Sequence, residues 1–243
     1  MRTRIIGLIV SGLIAGLAPP ANSAALQVAP VSIDVPAPGA SASLVLRNLG
    51  DKPMNAQIRV FRWLQQNGTD KLVETRDVVA SPPFATLKPK AGYTVRVVRV
   101  TKKPLVGEET YRLLIDELPD KQNPQGVAVR LVVRYSVPVF FGANRASPPK
   151  LTWRVSKKGK RTVVAVTNRG QRHVRISSLK LKTPAGRTLS FGDGLVGYVL
   201  GNSTARWSRS GLMKGLKPGS EIIIKAQGDN GPLQAKTRVE TIK

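Results

Sequence analysis

The sequence predicts an all-β chain built from two sandwiches in tandem. Three observations carry that reading. Apolar residues recur with a period of two over short runs, as in a strand with one buried face. Turn signals such as "NGTD", "SPP", "LKPKAG", "NPQG", "TPAG" and "KPGS" separate these runs. No window carries a helical period, and 22 Gly and 18 Pro in 243 residues are too many for long helices.

The first segment is of another kind. Arg2 and Arg4 precede an apolar run from Ile5 to Ala18, and Ala21-Asn22-Ser23 supplies small residues. This pattern is that of a secretory signal cleaved after Ser23, and the apolar run is too short to span a bilayer. A retained anchor is the alternative. About 220 residues follow, enough for one large or two small domains.

The strand candidates then come in order: "SASLVLRNLG", "MNAQIRVFRW", "YTVRVVRV", "TYRLLIDEL", "GVAVRLVVRYSVPVFF", "RTVVAVTNRG", "HVRISSLKLK" and "SEIIIKA". An internal echo runs through them. "SLVLRNLG" and "VVAVTNRG" both close a β-run in Asn-x-Gly, and "TLKPKAGYTVRV" and "GLKPGSEIIIK" both place Leu-Lys-Pro before an alternating strand. The order is the same in each half. We expect one sandwich over 24–143, a hinge in "GANRASPP" (142–149), and a second sandwich over 148–243. Chance similarity between strands is the alternative.

Composition excludes much chemistry. There is no cysteine, so neither disulfides nor thiolate catalysis arise, and a single histidine cannot build a His/Cys metal site. His173 reads as a surface or turn residue. Asp116 and Glu117 are adjacent on a strand and point to opposite faces, so they do not face one substrate. "GDGLVG" (192–197) lacks the residues that complete a phosphate loop and reads as a turn. We expect no enzyme, no metal and no cofactor. The net charge is +25, and residues 147–243 hold 20 basic and 4 acidic residues. Export and scarce aromatics argue against nucleic acid. A solvated, self-repelling surface accounts for the charge, and attraction to anionic lipid or an acidic partner stays open.

One strand needs a purpose. In 126–141, Val127, Val129, Leu131, Val133 and Tyr135 form an apolar face, and Arg130 and Arg134 lie on the other. Such a strand either packs in its own core or is kept to cap another chain. An exposed apolar edge is otherwise an aggregation hazard.

"LRNLGDKPMNAQIRVFRW", "ASPPFATLKPKAGYTVRVVR" and "YRLLIDELP" before the long strand resemble the PapD-like periplasmic pilus chaperones. The likeness covers the first half well and the second mainly through "GDNGP". It implies two immunoglobulin-like domains set in an L. It implies a periplasmic chaperone that binds pilin subunits without ATP and passes them to an outer-membrane usher. It also gives the long strand its role. A subunit lacking its last strand accepts 127–135 as a donor, by strand addition. The better-known members anchor the subunit's terminal carboxylate with one basic residue in the first strand and another late in the long strand. Here 26–46 contains no Lys or Arg, and Ser136 and Pro138 stand at the late positions. This departure resembles the archaic branch associated with spore-coat-U-like pilins. Arg112 is the replacement anchor we expect, with Arg134 second; a surface salt bridge is the alternative for Arg112. The family's inter-domain network maps onto Arg96, Glu108 (or Glu109) and Asp229. Neither nucleic acid nor stable membrane insertion is implied. Two other readings remain: a structural pilin or adhesin-like tandem sandwich, and a basic polyanion-binding module.

Overall fold

The structure, a computed structural model, describes residues 26–118, 132–210 and 217–241. The signal segment and donor positions Val127, Val129 and Leu131 lie outside the described residues. Every regular element among the described residues is a strand, as the alternation predicts.

The first half holds β1 (Leu26–Ala29), β2 (Ile33–Val35), β3 (Ser41–Asn48), β4 (Met54–Gln66), β5 (Thr69–Glu74), β6 (Val78–Ser81), β7 (Phe84–Leu87), β8 (Gly92–Arg99), β9 (Glu109–Leu118) and β10 (Arg134–Phe141). They form two sheets, β1-β3-β8-β6 and β2-β10-β9-β4-β5, with β7 also on β4. The second half holds β11 (Leu151–Lys158), β12 (Arg161–Asn168), β13 (Val174–Lys182), β14 (Thr188–Ser190), β15 (Leu195–Val199), β16 (Ser203–Ser210), β17 (Glu221–Gly228) and β18 (Gly231–Thr241). These strands are connected in the order β14-β13-β17-β18-β11-β12-β16, with β15 on β13. β18 makes this possible, because it pairs antiparallel with β17 and then parallel with β11.

Alternation explains the cores. In β3, Leu44, Leu46 and Asn48 point in; in β8, Val95 and Val97; in β10, Val137, Val139 and Phe141. Together with Ile58, Leu113 and Ile115 they close the first core. Val155, Val164, Val166, Ile176, Leu181, Ile222 and Ile224 close the second.

The echo has a physical basis. Asn48 is fully buried, accepts the Gly50 N–H at 2.9 Å and donates to the Lys52 carbonyl at 2.8 Å. Asn168 is equally buried, accepts the Gly170 N–H at 2.9 Å and donates to the Arg172 carbonyl at 2.8 Å. Each half uses one buried asparagine to tie the turn that ends a core strand, which satisfies the amide and the turn backbone together.

Charge is also placed by alternation. Arg96 lies between the inward Val95 and Val97, so it faces solvent. Arg99 has the inward parity and grips Glu109 in a two-pronged bond, both contacts at 2.9 Å. Tyr111 donates to the same carboxylate at 2.9 Å. Burial raises the Glu109 pKa, but the hydrogen bonds from Arg99 and Tyr111 and the charges of Arg99 and Arg62 outweigh it and hold it below the usual 4.5. A depressed carboxylate stabilises the fold above its unfolded pKa, and that stability is lost as pH falls through the lower folded value. Glu109→Gln should therefore cost about 1–3 kcal/mol at neutral pH and flatten the loss of stability below about pH 4.5. Guanidinium unfolding across acid pH checks both effects. An acid limb as steep as that of the natural protein would contradict the assignment.

Candidate functional site between the two halves

The outward face of the β4-β9-β10 sheet builds the site. Residues opposite one another share a face, so Phe61, Arg112 and Pro138 form one outward row. Thr110 and Phe140 belong to the next, where the Thr110 hydroxyl donates to the Trp63 carbonyl at 2.6 Å. Trp63 and Phe140 point away from the first core, yet both are fully buried. Tyr198 and Leu200 from the second half cover them. Trp63 meets Tyr198 edge-on at 5.4 Å between ring centres and Phe140 at 6.1 Å.

Arg112 lies on this aromatic cluster. Its guanidinium carbon is 3.7 Å from the Trp63 ring centre and 5.3 Å from that of Tyr198. Its Nη1 donates at 3.3 Å to the Ser136 carbonyl. Burial lowers its pKa, and the nearby Tyr198 and Asp70 oppose that. Among the described residues it has no carboxylate in an ion pair. A half-buried cation on two aromatic faces, with a single hydrogen bond from its guanidinium among the described residues, is a ready anion receptor.

The other expected anchor is committed elsewhere. Arg134 bonds the Asp116 carboxylate from one side, and Arg59 does so from the other at 2.7 Å. Burial raises the Asp116 pKa, but the two arginine hydrogen bonds prevail and hold it below its ordinary value. Of the donor positions that the structure describes, Val133 accepts the Glu117 N–H at 3.1 Å, so the hairpin with β9 extends beyond Arg134. Tyr135 packs partly against the first core, and its hydroxyl donates to the Leu26 carbonyl. Val133 and Tyr135 thus share the parity of the core residues Val137, Val139 and Phe141.

The expected inter-domain triad does not assemble. Arg96 faces solvent on β8, and among the described residues it pairs with no carboxylate. Glu108 is nevertheless a cross-domain residue, and its partner is His173. The His173 N–H donates to Glu108 at 3.0 Å, and its ring Nδ1 lies 2.8 Å from the second oxygen. The Glu108 side chain is fully buried. Asp229 instead accepts the Arg175 N–H at 2.8 Å and pairs with that guanidinium at 3.3 Å. Asp34 joins the group: burial pushes its carboxyl up, His173 opposes this, and Glu108 and Asp229 add to it. His173 is therefore no simple surface residue. Its ring stacks on Phe140 at 3.5 Å and 6°.

A second tie comes from the β4–β5 hairpin. The Gln65 amide donates to the Tyr198 carbonyl at 2.8 Å and accepts the Leu200 N–H at 3.0 Å, as a strand backbone would. At the hairpin tip, Gly68 accepts the Arg206 N–H at 2.9 Å. Gly68 has φ +83°, and a Cβ there would fall 2.5 Å from Arg206 Cγ, so glycine is required. Between these ties lies a cavity of about 210 Å³ lined by Arg62, Gln66, Glu108, Thr110 and Ser203, among others.

Sequence reasoning missed Trp63, Phe140, Tyr198 and Gln65. One signal was present. The strand end "VPVFF" stops alternating, which marks burial on both faces.

Comparison with known proteins matches residues 25–144 to the family described as pili and flagellar-assembly chaperone, PapD N-terminal domain. No curated protein matches the chain significantly. Among solved structures, the chain is similar to one in the CsuC–CsuE chaperone–tip adhesion subunit pre-assembly complex from archaic chaperone–usher Csu pili of Acinetobacter baumannii. Identity is 25%, coverage 90% of this chain and 100% of that one, and the TM-score 0.65. The YadV chaperone shares the fold at 18% identity, 88% and 100% coverage and a TM-score of 0.60. So does a chain of the SafA pilin–SafB chaperone complex of Salmonella enterica, at 16% identity, 87% and 96% coverage and a TM-score of 0.59.

Proposed function

We propose, for a chain whose residues 25–144 place it in the PapD-like family of pili and flagellar-assembly chaperones, that it captures pilin-type subunits in the periplasm by donating strand 127–135. Its clients are spore-coat-U-like subunits of an archaic chaperone–usher pathway, and it yields them to an outer-membrane usher. The exported location rests on the N-terminal signal pattern. No catalytic step is involved, and no ATP.

Physically, the donor strand supplies backbone hydrogen bonds to an open subunit groove and drops alternate apolar side chains into it. Arg112 fixes the subunit's end. It receives the terminal carboxylate where the two halves meet, held by its aromatic shelf so that little side-chain freedom is lost on binding. The observation that carries this reading is Arg112 itself: half-buried at the inter-domain cleft, stacked on Trp63, and without a carboxylate among the described residues.

The test is a double comparison. A subunit with a free C-terminus and one with its C-terminus extended by a few residues are titrated against natural protein and Arg112→Ala. Extension should weaken binding to the natural protein by about tenfold or more, the worth of a charge-assisted hydrogen-bonded pair, and should change little for Arg112→Ala. Equal losses on both proteins would move the carboxylate site elsewhere.

A further inference from the structure

A face of the second half remains unexplained by subunit capture. On β13, β17 and β18 the outward residues fall into cross-strand rows. Lys180 stands opposite Lys225, and Lys182 opposite Ile223, which in turn stands opposite Lys236. Arg238 stands opposite Glu221. Five cations thus occupy three neighbouring strands; of the two carboxylates on these strands, Glu221 lies among them and Glu240 pairs with Arg154 at 3.9 Å. Strands lie about 4.8 Å apart, and same-face residues about 6.7 Å along each strand. Like charges directly opposite in a sheet repel, and the Lys180–Lys225 pair is offset only on the Lys180 side, by an exposed carboxylate.

Four of these cations are also unspent. Lys180 meets Asp193, which is 83% exposed. Among the described residues, Lys182, Lys225, Lys236 and Arg238 have no ion pair. The β12-β16 side differs. There Arg161 bonds the Ser208 hydroxyl at 2.7 Å, Arg206 bonds the Asn67 carbonyl at 3.0 Å, and Arg209 bonds the Ser190 carbonyl. Among the described residues, four of the five cations on the β13-β17-β18 face have no ion pair, whereas these three arginines are spent on local acceptors.

We infer that this face docks the protein on an anionic membrane surface, through Lys180, Lys182, Lys225, Lys236 and Arg238 and lipid headgroup phosphates. Three features select a lipid surface over other polyanions. The outward positions of these strands carry no aromatic residue, so nucleic acid bases have nothing to stack on. They form an open sheet face rather than the groove an acidic peptide needs. Four of the five cations are lysines, which act as mobile point charges on long stems, whereas arginine suits fixed bidentate partners. Ile223 lies at the centre, half-buried, where lysine stems can cover it. The association is superficial and salt-sensitive, with no insertion. It does not depend on subunit capture, since none of these residues belongs to the cleft or the donor strand.

Vesicle flotation tests it with the mature full-length protein. The vesicles contain phosphatidylglycerol with phosphatidylethanolamine, or phosphatidylcholine alone. One variant combines Lys182→Glu, Lys225→Glu, Lys236→Glu and Arg238→Glu. A control of identical net charge combines Arg47→Glu, Lys71→Glu, Lys88→Glu and Lys102→Glu, all exposed in the first half. Natural protein should float with anionic vesicles at low salt and not with neutral ones. Each basic residue near such a surface contributes roughly fivefold, so the face variant should lose at least about a hundredfold, and the control at most about tenfold. A matching set of Lys→Gln and Arg→Gln variants keeps the comparison valid if the glutamates hinder folding. Equal losses in both variants would assign the binding to net charge and overturn the inference. So would indifference to anionic vesicles, or heparin binding that depends on this face without any vesicle binding.

Discussion

Leu131→Glu is expected to abolish subunit capture and leave the chaperone folded. Leu131 shares the parity of Val133, Tyr135, Val137, Val139 and Phe141. The last three of these are core residues of the first half. Carried upstream in the sequence, that parity puts Leu131 at the centre of the apolar face that the proposed function assigns to subunit capture. Burying a leucine contributes about 1.5–3 kcal/mol, and forcing a carboxylate into an apolar groove costs several more, at least about 3 kcal/mol. Capture should fall by about a thousandfold or more. Co-elution of chaperone and subunit measures this, with the chaperone's own unfolding midpoint as control. Normal capture by a folded variant would refute donation by this strand.

Trp63→Ala should have the largest effect on stability. Trp63 is fully buried although it points away from the first core. It is packed by Phe140 and Tyr198 and carries the Arg112 guanidinium. Removing a buried tryptophan costs about 3–5 kcal/mol. Here the loss falls on the contact between the halves, so unfolding should lose cooperativity as well, with the first sandwich and the second melting apart. Calorimetry reads both. A loss below about 1 kcal/mol with a single sharp transition would show that the aromatic cluster does not couple the halves. Capture should also weaken, because Arg112 loses the surface that orients it.

The sequence made the strands readable because alternation is a local property. Leu44 and Leu46 in β3, Val95 and Val97 in β8, and Ile222 and Ile224 in β17 face the core that their parity predicts. Asn48 and Asn168 were readable as an echo for a similar reason, since each asparagine ties a turn that closes within five residues. The contact between the halves was not. Trp63 and Phe140 stand on the face that alternation assigns to solvent, and what covers them lies more than fifty residues away in the chain. The expected Arg96–Glu108–Asp229 network failed on parity. Arg96 faces out, the inward arginine is Arg99, and it takes Glu109. Glu108, freed from that pairing, takes His173, which composition alone had marked as an isolated surface residue. Arg112 was legible as a candidate only through the family likeness. Its aromatic shelf joins β4 to β15, a pairing that no local pattern encodes.

The central claim is that this chain holds a subunit by its long strand. A tagged pull-down from the periplasm, natural protein beside Leu131→Glu, with partners identified by mass spectrometry, tests it most directly. The account predicts a small exported β-rich subunit, bound one to one, present with the natural protein and absent with the variant. No such partner, or the same partner in equal amount with both, would contradict it.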